Sequence, residues 1–296
     1  MNRTVSTQNS SRDIESKCLL CGHATRTRHL FELSRPIQQC EECGLVYAKP
    51  FGDAVHCEYT ESYYKQGVYA NYIEEGSAIH KNAQRSLTRL EQITEGRELL
   101  DVGCAAGFFL AAARDRGWTV RGLEVSEYAS EYARATLELP VTTGSIISPP
   151  ESLTRFDVVT LWDTIEHLDR PDVALAHIHR LLNPCGVFVC STGDYGSLLR
   201  RLTGKRWRLF ADPTHNFFFD QRTLTAFLRR AGFEILTVSR RGKWVSLSMI
   251  LHQSPLPFAA VVRRWLSARG HIPALYVNLW DVVTVYARRV RSGGAS

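Results

Sequence analysis

Four cysteines near the start of the chain have the spacing of a metal site. Two residues separate Cys18 from Cys21 and Cys40 from Cys43, and eighteen residues lie between the pairs. Thiolates in two such pairs suit tetrahedral zinc, and four of them leave no open coordination position, so the predicted ion is structural rather than catalytic. Gly22 and Gly44 follow the pairs directly and supply backbone freedom for tight turns that aim two thiols at one ion. So short a segment buries little apolar area, and metal binding would contribute most of its folding free energy, about 10 kcal/mol or more in comparable peptides. Four unliganded thiols are the alternative reading.

A second set of residues suits a nucleotide-like ligand. The stretch from Glu98, ELLDVGCAAGFFLAAARDRGW, reads as strand, small-residue turn and helix. Gly103 and Gly107 would let the backbone pass close to a ligand at the strand end. About twenty residues past that turn, a second strand, Thr119 to Leu123, ends at Glu124, whose carboxylate can accept hydrogen bonds from two ribose hydroxyls. His215, in the polar and aromatic loop DPTHNFFFD, is the first candidate for a base, histidine being the side chain best matched to neutral pH. A histidine that only braces its loop is the alternative. Asp163, Glu166 and His167 follow another strand, and at the start of a helix they would project toward one side to orient an acceptor.

The elements that must position these groups follow from hydrophobic period and punctuation. An amphipathic helix is expected from about Ala78 to Ile93, with Leu87, Leu90 and Ile93 on its apolar side. Ser126 suits the N-cap of a helix from Glu127 to about Leu137. FDVVTLW is a strand; a helix then runs to Leu182, and the turn NPCG leads into the strand VFVCST. Gln221 to Ala231 reads as a helix ended by Gly232, with strands at Phe233 to Ser239 and Asp281 to Arg288. Between those strands, Trp244 to His271 is an insertion of helical pieces broken by Pro255 and Pro257, with a cap, a dimer surface or a membrane-surface helix open as its role. The organisation expected is a flexible tail at 1–16, a zinc-binding module at 17–50, a linker and helical lid at 51–96 and a catalytic domain at 97–291. The insertion spans 240–280 and a second tail 292–296. Tyr63, Tyr64 and Tyr72 fall in the expected lid.

With 296 residues and 44% hydrophobic content, the chain can bury one large α/β core plus a satellite, and disorder is excluded as its overall state. The net charge of +6 favours acidic partners such as nucleotide sugars, phospholipids or nucleic acid. Arg200, Arg201, Lys205, Arg206 and Arg208 surround Trp207, either as a phosphate contact or as a solvated face. No apolar run is long enough for a transmembrane segment, and no secretory signal opens the chain. Cys57, Cys104, Cys185 and Cys190 are scattered through apparent core segments, which fits a reducing, cytoplasmic location.

The strand, turn and distal acid resemble the class I S-adenosylmethionine-dependent methyltransferases, whose first motif is similar to LLDVGCAAGFF. The likeness runs from about Arg97 to Phe233, with a last strand near the C-terminus. It implies a doubly wound, Rossmann-like α/β sheet, mostly parallel with an antiparallel last strand, and S-adenosyl-L-methionine as methyl donor. In that family the residue matching Asp101 lies near the methionine portion, the turn of Gly103, Ala105 and Gly107 packs on the cofactor, and the residue matching Glu124 binds ribose. Ser145 stands, beside Ile146, where many members carry an adenine-contacting aspartate, and Trp162 would pack on the adenine or close the pocket. Ala105 departs from the usual middle glycine, a position alanine fills only at negative φ. A nicotinamide dehydrogenase shares the glycine turn and distal acid, but FDVVTLWDTIEHLDRP and the strand after it resemble the fourth and fifth methyltransferase strands. Asp163, Glu166 and His167, together with His215, also resemble the metal-assisted site of small-RNA 2′-O-methyltransferases, with a supporting hydrogen-bond network as the alternative. Through Gly186 the chain resembles deoxysugar C-methyltransferases with an N-terminal four-cysteine module, without their further C-terminal domain. The expected activity is methylation of a small-molecule acceptor, acidic or polar, such as a sugar, nucleotide sugar or secondary metabolite. An RNA methyltransferase and a noncatalytic cofactor-binding protein are the alternatives.

Overall fold

Apolar residues in adjacent pairs along the strands demand two covered sheet faces, because successive strand side chains point opposite ways. The computed structural model describes residues 17–24, 26–49, 75–252, 265 and 273–290. The expected tails, Cys57, the three lid tyrosines and most of the insertion lie outside the described residues.

A seven-stranded sheet runs in the order β10-β13-β8-β7-β4-β5-β6. Its strands are β4 (Glu98–Val102), β5 (Thr119–Glu124), β6 (Val141–Thr143), β7 (Phe156–Trp162), β8 (Leu182–Gly193), β10 (Phe233–Ser239) and β13 (Val282–Arg289). β4 to β8 pair in parallel, whereas β13 lies antiparallel between β8 and β10. On one face Leu99, Val158 and Val189 pack with Leu87 and Leu90 of α1 (Gly76–Ile93) and Leu110 of α2 (Phe108–Arg114). On the other, Leu100, Val159 and Phe188 meet Leu175 and Ile178 of α4 (Pro171–Leu181) and Leu224 and Leu228 of α6 (Gln221–Arg230). Helix α3 (Glu127–Leu137) is capped as expected, the Ser126 hydroxyl accepting from the Ala129 amide.

Three details depart from expectation. Between β7 and β8 the register jumps from Phe156↔Leu182 to Val158↔Val187, and Cys185, at φ +64°, takes the left-handed position in the turn before Gly186. That cysteine is exposed rather than in the core. The insertion begins with a strand, not a helix: β11 (Lys243–Ser246) pairs antiparallel with β12 (Ala274–Val277), and a helix, Leu247–His252, follows β11. Asn82 of α1 bonds both the amide and carbonyl of Trp244 at 2.8 Å, satisfying backbone groups of β11 that the hairpin alone leaves open. Trp207 is buried within the basic stretch, its indole N–H and Arg208 both reaching Asp281, while Arg201, Lys205 and Arg206 around it are exposed. Among the described residues no helix is long and apolar enough to cross a membrane.

The cysteine segment is interlocked with this frame. β1 (Thr27–Glu32), β2 (Pro36–Cys40) and β3 (Val46–Ala48) form an antiparallel sheet whose fourth strand is β9 (Phe217–Phe218), from the loop that carries His215. Leu20, Leu45 and Tyr47 share the apolar cluster with Phe156 and Leu224. The segment thus has no core of its own, in keeping with its small size.

Candidate active site

The carboxyl ends of β4, β5 and β7 converge on a cavity of about 720 Å³ lined by Asp101, Gly103, Ala105, Glu124, Ser145, Ile146, Trp162, Asp163 and His167, among others. A parallel sheet whose strand order reverses at β4 leaves such a crevice, because the following helices depart to opposite faces. Gly103 and Gly107 adopt φ +71° and +84°, but the space their missing Cβ leaves belongs to the protein. A Cβ on Gly103 would lie 2.6 Å from Thr164 Oγ1, and one on Gly107 2.6 Å from Leu139. Close packing and the left-handed backbone therefore require both glycines, and only Gly103 reaches the cavity wall. Ala105 also departs from expectation: its φ is +46°, not negative. Its amide donates to Glu124 Oε2 at 2.8 Å, which helps to offset the strain of that conformation.

Glu124 is 4% exposed, and its other oxygen accepts from the Ser126 amide at 2.9 Å. Burial raises its pKa against the pull of those amides. Each oxygen has a second acceptor position, so the group can still receive two hydroxyls. Asp101 accepts from Thr160 Oγ1 at 2.6 Å, and burial pushes its carboxyl up to about 7. Trp162 packs edge-on against Phe109 at 5.2 Å, and its indole N–H has no partner among the described residues.

The second cluster is less regular than a helix start. Asp163 sits at φ +47°, and Ile165–His167 is a single 3-10 turn rather than the start of an α-helix; Asp163 and His167 line the cavity, while Glu166 is buried. Asp163 pairs with Lys243 and accepts from Ser191 Oγ; burial opposes its charge, but the lysine keeps its pKa low. His167, on the cavity wall, lies edge-on to His215 with ring centroids 4.6 Å apart. Thr214 Oγ1 donates to Asp212 Oδ1, so it accepts from His167 Nδ1 at 2.8 Å and leaves Nε2 as the basic nitrogen, a tautomer assigned from the network. His215 is buried behind this ring; its Nδ1 donates to the Leu209 carbonyl at 2.8 Å. Burial, then the neighbouring His215, lowers His167 to about 3, and burial also lowers His215, so both rings are neutral at physiological pH. Glu166 is buried, one of its oxygens has no partner among the described residues, and burial with the nearby Asp163 raises it to about 8. Ligating atoms of Glu166, His167 and His215 lie within 4.8 Å of one another.

The four cysteine sulfurs also converge within 4.8 Å, with Cys18–Cys43 at 3.5 Å and Cys21–Cys40 at 3.8 Å. A zinc tetrahedron with bonds of about 2.3 Å has edges of about 3.8 Å, so the donor set could hold that ion. Each pair forms the same turn: the Gly22 amide donates to Cys18 O at 2.8 Å and the Gly44 amide to Cys40 O at 2.9 Å. Both glycines are left-handed, as their position predicted.

A methyltransferase-domain family matches residues 75–238, more than half of the chain. The chain belongs to the class I S-adenosylmethionine-dependent methyltransferases. The ubiquinone biosynthesis O-methyltransferase of Pseudomonas aeruginosa (strain LESB58) is 31% identical over 152 residues, covering 47% of this chain and 66% of the relative. The enzyme of the same name from Azoarcus sp. (strain BH72) is 29% identical over 157 residues, covering 49% and 67%. The matches thus span about two thirds of these relatives. A SAM-dependent methyltransferase of Archaeoglobus fulgidus shares the fold at TM-score 0.51 and 18% identity, covering 74% of this chain and 99% of its own. The methyltransferase match begins beyond the cysteine segment, so the His215 loop that joins the two is shared between family fold and added unit. Arg35 and Asn216, which link them, were not singled out from the sequence, because an arginine in a hairpin turn and an asparagine in a loop carry no local signature.

Proposed function

We propose that this methyltransferase modifies a small polar or acidic acceptor, with the donor held by the Asp101 and Glu124 end of the cavity and the acceptor at the His167 end. One observation carries the reading: a single cavity of about 720 Å³ runs between the two carboxylates and His167, room for a nucleoside and a small second ligand. Glu124 would take the ribose hydroxyls, Asp101 the methionine ammonium, and Ser145, Ile146 and Trp162 the adenine. When bound, the cofactor supplies an electrophilic methyl group on a sulfonium that leaves as a neutral thioether. The chain's own work is alignment: His167 Nε2, kept neutral and weakly basic by burial, accepts a hydrogen bond from the acceptor and orients it toward the methyl group, and the acceptor's proton passes to water as the bond to carbon forms. Asp212, through Thr214, holds the ring in the tautomer that leaves Nε2 as the acceptor. Arg89 and Arg241 line the same cavity, and neither has a carboxylate partner among the described residues, which favours an acidic acceptor. The name of the two ubiquinone-pathway relatives supports a small molecule rather than RNA. The four cysteines would hold structural zinc.

His167→Gln is expected to lower turnover roughly 100-fold while leaving cofactor affinity within twofold. Steady-state rates beside calorimetry test this, and undiminished turnover would remove His167 from the chemistry. His215→Gln should have a smaller effect on turnover, because His215 lies behind the ring that lines the cavity.

Asp101 sets a pH dependence of cofactor binding. Its folded value of about 7 exceeds the ordinary 3.8, so the free protein carries a proton there across that window. The same shift lowers folding stability as pH rises from about 4 to 7, since the folded state binds more protons. A cationic ammonium favours the ionised form. Cofactor affinity should therefore rise with pH up to about 7, by at most about tenfold per pH unit, with proton release below it. Calorimetry at several pH values would detect the slope, and Asp101→Asn should flatten it. A flat profile in the unaltered protein would place the ammonium elsewhere.

A further inference from the structure

We propose that Arg35 is a positioning residue for the His167–His215 pair, which makes the four-cysteine unit a working part of the active site rather than an appended module. The inference rests on His167 and His215 forming the acceptor side of the cavity.

Arg35 lies in the turn between β1 and β2, yet its guanidinium reaches into the loop that carries His215. Nη1 donates to Asn216 Oδ1 at 2.7 Å, and Nη2 donates to the carbonyls of Pro213 at 2.7 Å and His215 at 2.8 Å. A planar, always-charged fork can hold three acceptors in one fixed arrangement, which a single ammonium cannot do. Pro213, His215 and Asn216 enclose Thr214, the hydroxyl that orients His167.

Asn216 carries the restraint onward. It is fully buried; its amide donates to Glu166 O at 2.7 Å, and its Nδ2 donates to His167 O at 3.0 Å and Asp169 Oδ1 at 2.8 Å. Both histidine-bearing segments therefore hang on one asparagine, and its side-chain oxygen is held by Arg35. The carbonyl of Asn216 accepts from Ala48 at 2.9 Å, where β3 runs into its pairing with β9.

The cysteine site fixes the other end. β2 runs from Pro36, next to Arg35, to Cys40, one of the four sulfur ligands, and is paired on both sides by β1 and β3. Two arginines of α6 clamp the cysteine turns from the catalytic domain, Arg230 on Leu20 O at 2.8 Å and Arg222 on Cys43 O at 2.9 Å. A strand that zinc would hold at Cys40, and that its neighbours hold at its sides, can shift little at Arg35. The same contacts explain why the unit is built onto β9: it immobilises a loop that would otherwise cost entropy each time the acceptor site formed.

Full-length, metal-loaded Arg35→Ala protein tests the proposal. Metal content and calorimetric cofactor affinity should stay within twofold, because Asp101 and Glu124 lie on β4 and β5, away from the Arg35 contacts. The imidazole NMR resonances of His167 and His215, assigned with His215→Gln, should lose the mutual ring-current shift of their edge-on contact. Millimolar guanidinium should restore that shift in Arg35→Ala, whereas equimolar urea should not. Turnover should fall roughly 10- to 100-fold with the KM for cofactor unchanged. Unchanged ring resonances in the metal-loaded variant would overturn the proposal. If Arg35→Ala does not fold, Arg35→Lys decides: an intermediate ring signature supports the role, and a native one removes it. The resonances report positioning whether or not His167 acts on an acceptor, so failure of the functional reading is separable, being visible as full turnover in His167→Gln.

Discussion

Cys40→Ser is expected to release the proposed zinc and to destabilise the whole methyltransferase fold, not merely the cysteine unit. Cys40 is 1% exposed, ends β2 and donates its amide to the Leu45 carbonyl, so its sulfur and backbone both serve the turn. Structural zinc contributes about 10 kcal/mol or more in small peptides, comparable with the 5–15 kcal/mol that stabilises an entire domain. An isolated module would absorb that loss alone. Here β3 pairs antiparallel with β9, and Leu20, Leu45 and Tyr47 pack with Phe156 and Leu224 of the catalytic domain. If about 3 kcal/mol reaches the larger sheet, its Tm should fall by roughly 6–12 °C. Zinc released on adding a thiol-reactive mercurial, read with a chromogenic chelator, should amount to one ion per chain. Far-ultraviolet melting of the variant reports the transmitted part. A protein purified without chelators that contains no zinc would end the metal reading, and a native melting curve for the variant would end the coupling.

Glu124→Ala is expected to weaken cofactor binding by about 3 kcal/mol, roughly 100-fold. Two effects add. The carboxylate is the proposed acceptor for the ribose hydroxyls, and charge-assisted hydrogen bonds of that kind contribute about 1.5–3 kcal/mol in total effect each. It also holds the amides of Ala105 and Ser126, one in the strained turn and the other at the N-cap of α3. With the carboxylate gone, Ala105 at φ +46° loses its restraint, and the turn that shapes the cavity relaxes. Glu124→Gln separates the two effects. Its remaining oxygen can keep one amide, but its NH₂ group faces the other amide donor to donor, so it should fall between alanine and the native residue. Isothermal calorimetry with S-adenosylmethionine gives the affinities, and an unchanged value for the alanine variant would show that the ribose lies elsewhere.

The sequence by itself determined the features that arise from local chemistry. Cysteine spacing and the glycines after each pair specified two matching turns. The alternation of apolar residues specified a sheet covered on both faces, and the strand ending at Glu124 placed a carboxylate beside the turn at Gly103. Those signals are legible because backbone sterics, hydrophobic period and ligand geometry act over a few residues. Only the tertiary structure decided what those residues meet. Ala105 takes a left-handed conformation because Glu124, distant in sequence, holds its amide, and Gly107 is required by Leu139 rather than by a ligand. His167, not His215, reaches the cavity, because His215 is buried behind it with its ring on the Leu209 carbonyl. The joining of the cysteine unit to the His215 loop through Arg35 and β9 spans about 180 residues of chain. No local period encodes such a contact, because its partners are selected only when the two sheets close on a shared core.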